Sequence, residues 1–468
     1  MIPVYLTWVA EQTNGTLVGD DLLINSVTTD SRQLEKGDLF LALSGANFDG
    51  HGFVSQAEAA GASAVIVSQP PTQLGIPYIL VEDTHTALGQ LAAAVKREVA
   101  PKTVAITGSS GKTTVKEMVA AILQRRGSVL STAGNFNNDI GVPLTLLRLE
   151  KHHEFAVMEL GANHLGEIAY TVNLVQPDVA TIINAAASHL EGFGSLFGVA
   201  RAKSEIFKCL SAEGIAVLNA DSQFLQYWQG KLKRDTVLTF SQDADQGADF
   251  YATDVSLGLD GCAAFVLNTP QGTVSVNLNI PGVHNIANAL AAAALAVNVG
   301  ASLEDVREGL ASMQQVKGRL NVKQISTQVR ILDDTYNANV ASVKAGIDLL
   351  STFSGLRVLV LGDMAELGEK ARHYHQIVGE HALEKGIDRV LTLGVLSQHA
   401  SSAMGSAGAH FSEIEKLIES LSEALVFEQR DITILVKGSR SSKMERVVTA
   451  IEESPVGKFE RRRERIAC

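Results

Sequence analysis

Cysteine is scarce in this sequence, and what there is forms no recognisable pattern. The three cysteines among 468 residues lie at positions 209, 262 and 468, with no CxxC spacing. A scattered, odd-numbered set of this kind argues against a disulfide framework and against a structural zinc site. The sequence therefore fits a protein of a reducing compartment.

Long apolar runs and an excess of basic residues are also missing. The longest apolar stretch, residues 287–299, is interrupted by Asn288 and Asn298 and falls short of the roughly 20 residues that a membrane span needs. The N-terminus lacks the basic region and apolar core of a signal peptide. The net charge of −12 argues against non-specific nucleic-acid binding, which depends on Lys and Arg neutralising phosphates. We expect a cytoplasmic protein with no membrane span and no nucleic-acid partner, and we interpret the basic residues 458–465 as a solvated tail.

The sequence is rich in the material of an α/β core. Hydrophobic residues make up 46% and charged residues 19%, with 40 glycines, which is typical of a globular α/β protein. The length predicts two to four domains. Changes in pattern along the chain indicate three, at residues 1–83, 84–313 and 314–468.

Strand-like and helical patterns alternate in all three segments. The first segment holds short β-like runs, such as Ala64–Val67, and an alanine-rich helix at Val54–Ala60. In the second, weaker alternating segments around 248–280 indicate antiparallel strands, and an alanine-rich helix at 285–299 closes the segment. The alternation predicts parallel sheets covered by helices on both faces, doubly wound in the third segment. The apolar strands of the second and third segments are expected at 103–107, 155–160, 179–184, 329–333, 357–362, 389–393 and 433–437.

A glycine loop between a strand and a helix is the strongest single signal. Glycines let backbone amides face an anion, and the following helix N-terminus adds the positive end of its dipole. Lys112 can reach terminal phosphates and the Thr113 hydroxyl can hold Mg²⁺, although Ile106 replaces the first glycine of the usual pattern. Such a loop alone leaves a kinase, a GTPase switch, a motor and a ligase open. Its residues are Gly108, Ser109, Ser110, Gly111, Lys112, Thr113 and Thr114.

Polar residues after the next strands are candidates for the rest of a phosphate and metal site. Glu159 ends the strand at 155–160, where ligands of open α/β sheets bind, and a carboxylate suits Mg²⁺; the alternative is a helix-capping or ion-paired Glu. His189 follows the strand at 179–184 and is either a second metal ligand or a structural histidine. Asn135 lies in a loop that either forms turns or orients phosphates. Lys203 reads by default as a surface lysine.

Seven ordered motifs carry a resemblance to a known family. They are GSSGKTT, TAGNFNNDIGVP, MELGANHLGEI, HLEGFGS with RAKSEIF, PGVHNIANALAAAAL, KGRL and DDTYNANVAS. With these motifs taken together, the sequence resembles the Mur ligases, which build the peptide stem of peptidoglycan. Their relatives include folylpolyglutamate synthase. The resemblance implies a small α/β N-terminal UDP-sugar domain, a central P-loop ATPase-like parallel sheet and a C-terminal Rossmann-like doubly wound domain.

Motifs outside the shared set indicate a branch of the family. The DNPR motif of the enzymes adding the third stem residue is absent, whereas LGDMAELG at 361–368 and VKGSRSSKME at 436–445 are present. These are similar to the branch that adds D-alanyl-D-alanine to UDP-N-acetylmuramoyl-tripeptide through an acyl phosphate. The resemblance thus implies an ATP-dependent acid–D-amino-acid ligase, with those two molecules as partners, and we expect a monomer. A sister ligase, a folylpolyglutamate synthase and a nucleotide-regulated binding module are the alternatives.

The resemblance also implies what individual residues do. Lys112 and the loop amides would bind ATP phosphates, Thr113 and Glu159 one Mg²⁺, and His189 with carbamylated Lys203 a second. Lys112, His189, Lys203 and Arg319 are the expected catalytic residues, and a hinge is expected near 313–320. Val340 stands where the family commonly has proline, which should loosen that turn slightly. The remaining implied contacts are Asn288, Arg319 and Asp334 to the nucleotide; Asp30, Ser31, Arg32, Asp49, Gly50 and His51 to the UDP-sugar; and Asn135, Asn337, Asn339, Lys437 and Arg440 to the other substrates or the γ-phosphate.

Overall fold

A computed structural model describes residues 1–45, 48–211, 213–232 and 236–454. The basic tail and Cys468 lie outside these residues. Cys209 and Cys262 are both free thiols, as the cysteine pattern predicts. Within the described ranges, no helix combines the length and the apolar character that crossing a membrane requires.

The N-terminal region builds a five-stranded sheet in the order β2-β7-β6-β5-β4, parallel except for the β2–β7 pair, beside an antiparallel β1–β3 pair. Alternate residues of its strands enter different cores: Leu39 and Leu41 face one side, and Phe40 the other. This period of two explains why the buried strands read as continuous apolar runs. The elements are β1 (Val4–Tyr5), α1 (Leu6–Gln12), β2 (Thr16–Val18), β3 (Leu23–Ile24), β4 (Val27–Thr28), β5 (Leu39–Leu41), α2 (Val54–Ala60), β6 (Ala64–Val67) and β7 (Tyr78–Leu80).

The central region is a nine-stranded sheet in the order β16-β15-β14-β13-β12-β11-β8-β10-β9. Seven strands run parallel, and β15 and β16 extend the sheet antiparallel, as the pattern at 248–280 predicts. The elements are α3 (Thr84–Val99), β8 (Lys102–Thr107), α4 (Lys112–Leu123), β9 (Val129–Ser131), α5 (Gly141–Leu146), β10 (Phe155–Glu159), α6 (Glu167–Val175), β11 (Val179–Ile182), α7 (Leu190–Phe193), α8 (Leu196–Lys203), β12 (Ile215–Asn219), α9 (Leu225–Lys231), β13 (Val237–Ser241), β14 (Phe250–Leu257), β15 (Cys262–Thr269), β16 (Gly272–Pro281), α10 (His284–Val297) and α11 (Leu303–Ser312).

One expectation for this region is wrong, because the alanine-rich helix α10 does not close it. Helix α11 follows, and a capping box between Ser302 and Asp305 satisfies its first amides. The Ser-x-x-Asp spacing of this capping box is visible in the sequence and predicts the start of a helix. Helix α10 is buried on nearly every side, since its small alanines allow close packing against α4 and the sheet.

The C-terminal region is a six-stranded sheet in the order β17-β18-β22-β19-β20-β21, parallel except for β17. Separate apolar clusters cover its two faces, which confirms the doubly wound pattern. The elements are β17 (Asn321–Gln324), β18 (Val329–Asp334), α12 (Val340–Ser351), β19 (Leu356–Gly362), α13 (Ala371–Glu384), β20 (Arg389–Leu393), α14 (Gln398–Ala403), β21 (Gly408–Phe411), α15 (Ile414–Phe427), β22 (Ile432–Lys437) and α16 (Glu445–Glu453).

The two boundaries between these regions differ in chemistry. One apolar cluster contains residues of both the N-terminal and the central region, such as Leu39 and Leu218. Between the central and C-terminal regions, each described apolar cluster stays on its own side apart from Val316 of the connector, which packs against the central cluster. The contacts between the two regions include hydrogen bonds and an ion pair. The connector between them passes through two left-handed residues, Gly318 at φ 71° and Leu320 at φ 52°. Interfaces without a shared apolar core are those at which domains move.

Candidate active site at the junction of the central and C-terminal regions

A cavity of about 740 Å³ lies where the central and C-terminal regions meet. It opens beyond the carboxyl ends of strands β8, β10 and β11, the place where open α/β sheets bind ligands. Helix α4 begins at the cavity with Lys112, and α12 begins there after Asn339. Two helix N-termini, one from each region, therefore meet at the same space.

A side chain outside the predicted site residues holds the glycine loop. Asn184, just after β11, accepts hydrogen bonds at Oδ1 from the amides of Ser109 (3.1 Å) and Ser110 (3.0 Å). The loop then turns at Gly111, whose φ of 79° suits glycine, and a Cβ there would lie 2.7 Å from Asn288 Oδ1. The first four amides of a helix lack partners within it, so those at the start of α4 are available to an anion.

Lys112 reaches back over this loop. Its ammonium donates to Gly108 O at 2.8 Å. Burial lowers the pKa of Lys112, while the carboxylate of Glu159 counteracts the shift. A half-buried lysine that reaches back over a glycine loop has the geometry that a phosphate-binding lysine needs.

Thr113 and Glu159 form a pair of hard oxygen donors. Thr113 Oγ1 donates to Glu159 Oε2 at 3.0 Å, and Asn137 Nδ2 donates to Glu159 Oε1 at 2.8 Å. The sequence pointed to Asn135 in this loop; Asn135 does line the cavity, but Asn137 is the amide that holds the carboxylate. The polypeptide thus places Glu159 as a fully hydrogen-bonded, buried carboxylate rather than as a helix cap.

Lys203 and His189 lie in the same cavity. Lys203, at the end of α8, is 2% exposed and makes no hydrogen bond or ion pair with any residue described in the structure. Burial, reinforced by the nearby charge of Lys112, holds the pKa of Lys203 well below its usual value. The default reading as a surface lysine is therefore wrong. Burial also lowers the pKa of His189, and its Nδ1 contacts Glu366 Oε2 of the C-terminal region.

The start of α10 forms the wall behind the glycine loop. Asn288 Nδ2 donates to Asn285 Oδ1 at 2.8 Å, and Asn285 Nδ2 donates to Pro281 O at 2.7 Å. His284 also lines the cavity, and burial lowers its pKa. The resemblance implied a role for Asn288 alone in this segment. His284 and Asn285, from the same PGVHNIANALAAAAL motif, belong to the same wall.

The C-terminal region reaches the glycine loop directly. Arg319 Nη2 donates to Thr113 Oγ1 at 3.2 Å, and its guanidinium carbon lies 4.2 Å from the centre of the Tyr336 ring. Asn339 Nδ2 donates to Ser109 O at 3.2 Å. Both contacts bring residues more than 200 positions apart in sequence into the same cavity wall.

The other predicted residues of this region line the same cavity. Buried Lys437 pairs with Asp334 and donates to Asn337 O at 2.9 Å; burial lowers the pKa of Lys437. Arg440 also lines the cavity and pairs with Glu445 at 3.0 Å. Among these side chains, Arg440 and Asn337 are exposed, and Lys437 pairs with Asp334.

Helix α12 begins at Val340 although the family commonly has proline there. Asn339 Oδ1 accepts from Ser342 N at 2.9 Å, and Ser342 Oγ accepts from Asn339 N at 3.1 Å. This capping box fixes the start of the helix without proline.

The predicted UDP-sugar residues form a separate group. They do not line the cavity; they follow β4 and β5, whose carboxyl ends share one edge of the N-terminal sheet. Arg32 Nη2 pairs with Asp30 Oδ2 at 2.8 Å, with Ser31 between them. Farther along the edge, His51 Nδ1 meets Asp49 Oδ1 at 2.6 Å while its Nε2 accepts from Ser68 N at 2.9 Å.

Gly50 completes this edge. A Cβ at Gly50 would lie 2.6 Å from Leu43 O, so a larger residue would push the turn away from the sheet. The turn thereby holds Asp49 and His51 beside the end of β5. The hydrogen bond from Ser68 N leaves the His51 proton on Nδ1, where it reaches the Asp49 carboxylate.

The cavity suits Mg²⁺ better than a metal that needs a full protein cage. Among the described residues, no three His, Cys, Asp or Glu side chains gather as a metal cluster. Mg²⁺ is commonly held by one or two carboxylates together with substrate phosphates. Neighbouring ligands of an octahedral Mg²⁺ at 2.0–2.1 Å would be about 2.9 Å apart, and Thr113 Oγ1 and Glu159 Oε2 are 3.0 Å apart.

Three family models match the chain in order. Mur ligase family, catalytic domain, matches residues 23–96; Mur ligase middle domain matches 106–296; and Mur ligase, glutamate ligase domain, matches 318–440. The chain is 51% identical over 454 residues to the UDP-N-acetylmuramoyl-tripeptide–D-alanyl-D-alanine ligase of Escherichia coli strain K12, covering 97% of this chain and 99% of that protein.

Solved structures give the same picture. A crystal structure of MurF from Acinetobacter baumannii superposes with a TM-score of 0.92 at 39% identity, covering 97% of this chain and 99% of that chain. The crystal structure of the MurF ligase of Thermotoga maritima in complex with ADP superposes with a TM-score of 0.81 at 29% identity, covering 93% and 98%.

Proposed function

The chain belongs to the Mur ligase family, and we propose from this premise that it is the member that adds D-alanyl-D-alanine to UDP-N-acetylmuramoyl-tripeptide in peptidoglycan synthesis. The reaction is an ATP-dependent amide-bond formation. One observation carries the proposal. The glycine loop with Lys112, the buried Lys203, and Arg319 of the C-terminal region meet in one cavity between two regions that share no apolar core.

The chemical problem is a poor leaving group. An amine cannot readily expel oxide from the tripeptide carboxylate, so the carboxylate oxygen first attacks the γ-phosphorus of ATP and ADP leaves. The resulting acyl phosphate is then attacked by the amine of D-alanyl-D-alanine; the amide bond forms, the C–O bond breaks, phosphate departs and the amine loses its proton. In this chain Lys112 and Arg319 would offset the charge that spreads over the transferred oxygens.

Positioning supplies much of the rate enhancement. Well-oriented intramolecular reactions reach effective molarities of about 10⁵–10⁸ M, equivalent to roughly 7–11 kcal/mol. We assign residues 1–83 to the UDP-sugar, 84–313 to ATP and 314–468 to the incoming dipeptide. Asp30, Arg32, Asp49 and His51 would hold the UDP-sugar at the edge of the N-terminal sheet, and Arg440 is the exposed cation left for the dipeptide carboxylate.

Mg²⁺ fits this cavity through Thr113 and Glu159, and bound there it would neutralise phosphate charge. Asn137 would keep the carboxylate of Glu159 turned towards it. Lys203 fits carbamylation, because burial lowers the pKa of its amine and so favours the neutral, nucleophilic form. Attack on CO₂ with loss of one proton would turn it into an anion, which with His189 would hold a second Mg²⁺.

The test measures phosphate release from ATP with Mg²⁺ and bicarbonate, omitting UDP-N-acetylmuramoyl-tripeptide and D-alanyl-D-alanine in turn. We expect release only with both substrates, and a pentapeptide product by mass spectrometry. Release with a single amino acid in place of the dipeptide would indicate a sister ligase. Specific nucleotide binding without any release would indicate a binding module.

A further inference from the structure

One ionic contact joins the two regions inside the cavity, and it involves Glu366 of the LGDMAELG motif, to which the resemblance gave no role. Glu366 Oε2, in the loop between β19 and α13, contacts His189 Nδ1 at the start of α7. Both residues line the cavity. The backbone supports the contact, since the amide of Glu191 lies 3.5 Å from Glu366 O.

Both partners adopt a backbone conformation that non-glycine residues rarely occupy. His189 has φ 50° and ψ 35°, and Glu366 has φ 61°. The left-handed conformation is unfavourable for residues other than glycine, because Cβ comes too close to the following carbonyl oxygen. Such residues cluster at functional sites, where the surrounding structure holds them in place. The strain lies on both sides of one contact, which indicates that both loops are shaped to make it.

The contact places Glu366 against Nδ1 of His189, which leaves Nε2 as the ring nitrogen open to a ligand. The pair lacks hydrogen-bond alignment in this structure. A neutral imidazole carries one N–H donor and one lone pair, so a proton on Nδ1 facing the carboxylate would put the lone pair on Nε2. Metal-binding histidines use this arrangement, giving one N–H to a carboxylate and the other nitrogen to the metal.

We propose that Glu366 is a positioning residue, supplied by the C-terminal region, that orients His189 so that its Nε2 completes the second divalent-metal site only when the two regions are together. This inference rests on the proposed ligase function. It makes metal-site assembly and domain closure a single event, since the histidine belongs to one region and the carboxylate that orients it to the other. An open enzyme would hold ATP and one metal ion without being able to complete the second site.

The experiment uses Mn²⁺ as the probe and the full-length enzyme with a non-hydrolysable ATP analogue and UDP-N-acetylmuramoyl-tripeptide. Electron paramagnetic resonance titration counts the Mn²⁺ sites and gives their Kd values. The test variant Glu366→Met keeps the side-chain length but removes the acceptor, and Glu366→Gln keeps an acceptor oxygen. Glu369→Gln is the matched control, because it removes an exposed carboxylate of the same loop that lies outside the cavity. Thermal unfolding of each variant checks that it is folded.

We expect Glu366→Met to weaken the second Mn²⁺ site about 10–100-fold, the usual effect of losing the carboxylate behind a metal-binding histidine. Glu366→Gln should lie between Met and wild type, and Glu369→Gln should match wild type. In a His189→Ala background, Glu366→Met should add no further loss, because it acts through the imidazole. The first Mn²⁺ site should be unchanged throughout.

Three results would overturn the inference. The first is a second site in Glu366→Met as tight as in wild type. The second is a double variant, His189→Ala with Glu366→Met, whose loss of affinity for the second Mn²⁺ is the product of the two single losses. The third is a raised KM for D-alanyl-D-alanine with unchanged Mn²⁺ binding, which would assign Glu366 to the incoming amine. Failure of the proposed function is distinguishable, since then the wild-type enzyme itself makes no pentapeptide.

Discussion

Replacing Arg319 tests the cavity most directly. The guanidinium donates to Thr113 Oγ1 at 3.2 Å and is stacked 4.2 Å above the Tyr336 ring. It is therefore held beside the expected position of the γ-phosphate by a hydrogen bond on one side and an aromatic face on the other. We expect Arg319→Ala to lower kcat strongly and Arg319→Lys to lower it moderately.

The magnitudes follow from charge and stacking. Two unit charges 4 Å apart in a medium of effective dielectric constant about 20 interact by roughly 4 kcal/mol, which at 1.36 kcal/mol per tenfold corresponds to a loss of about 10³ in kcat for Arg319→Ala. Lysine keeps the charge but loses the stacking, worth about 0.5–2 kcal/mol, so Arg319→Lys should be slower by roughly 2–30-fold. Tyr336→Leu, which removes the stacking face alone, should fall in the same range.

The assay is single-turnover formation of ADP and pentapeptide at saturating substrates. The matched control is Arg330→Ala, because Arg330 is also stacked on an aromatic ring, Phe353 at 4.9 Å, but lies outside the cavity. It should turn over at the wild-type rate. The reasoning is refuted if the kcat of Arg319→Ala stays within threefold of wild type. It is also refuted if the variant raises the KM for ATP with kcat unchanged, because Arg319 would then bind the ground state and the transition state equally.

Three further outcomes are expected. Lys203→Ala should lower turnover by about 10²-fold, with partial recovery in short carboxylates such as formate; a variant that is slow and not rescued would exclude an anion at this position. Glu159→Gln should raise the Mg²⁺ concentration needed for half-maximal activity at least about tenfold, and an unchanged Mg²⁺ dependence would contradict its assignment. Burial lowers the pKa of His375, whose Nε2 accepts from Met364 N, so the unfolded chain takes up the extra proton below about pH 6.5 and stability falls as the pH drops through that window. Urea unfolding should show a smaller loss between pH 7.5 and 5.5 for His375→Gln than for wild type, and parallel losses would contradict the assignment.

The part of the site whose residues are adjacent in the chain could be predicted from the sequence. The glycine loop, the strand before it and helix α4 are adjacent in the chain, so GSSGKTT at a strand-to-helix junction was enough to place the phosphate end of the cavity. Strand β10 was expected within a residue of its observed bounds, because an apolar run is itself local. The resemblance extended this to Arg319, whose contact with Thr113 no local pattern could predict.

What was missed depends on pairs of residues that are distant in sequence. Asn184 holds the glycine loop, Asn137 holds Glu159, and Glu366 contacts His189, yet each is an ordinary polar residue beside its own strand. Nothing in the spacing of such residues reveals their partner. The burial of Lys203 was missed for the same reason, because the walls around it come from several elements.

The two helix N-termini that meet at the cavity have a consequence for nucleotide binding. Helix α4 and helix α12 each direct the positive end of a dipole, equivalent to about half an elementary charge, at the same space. Lys112 and Arg319 add full charges from the same two sides. Positive charges that converge on one space repel each other, whereas a triphosphate bound between them attracts both. We therefore expect ATP to draw the two regions together before it reacts, and the loss of phosphate charge after turnover to weaken that attraction.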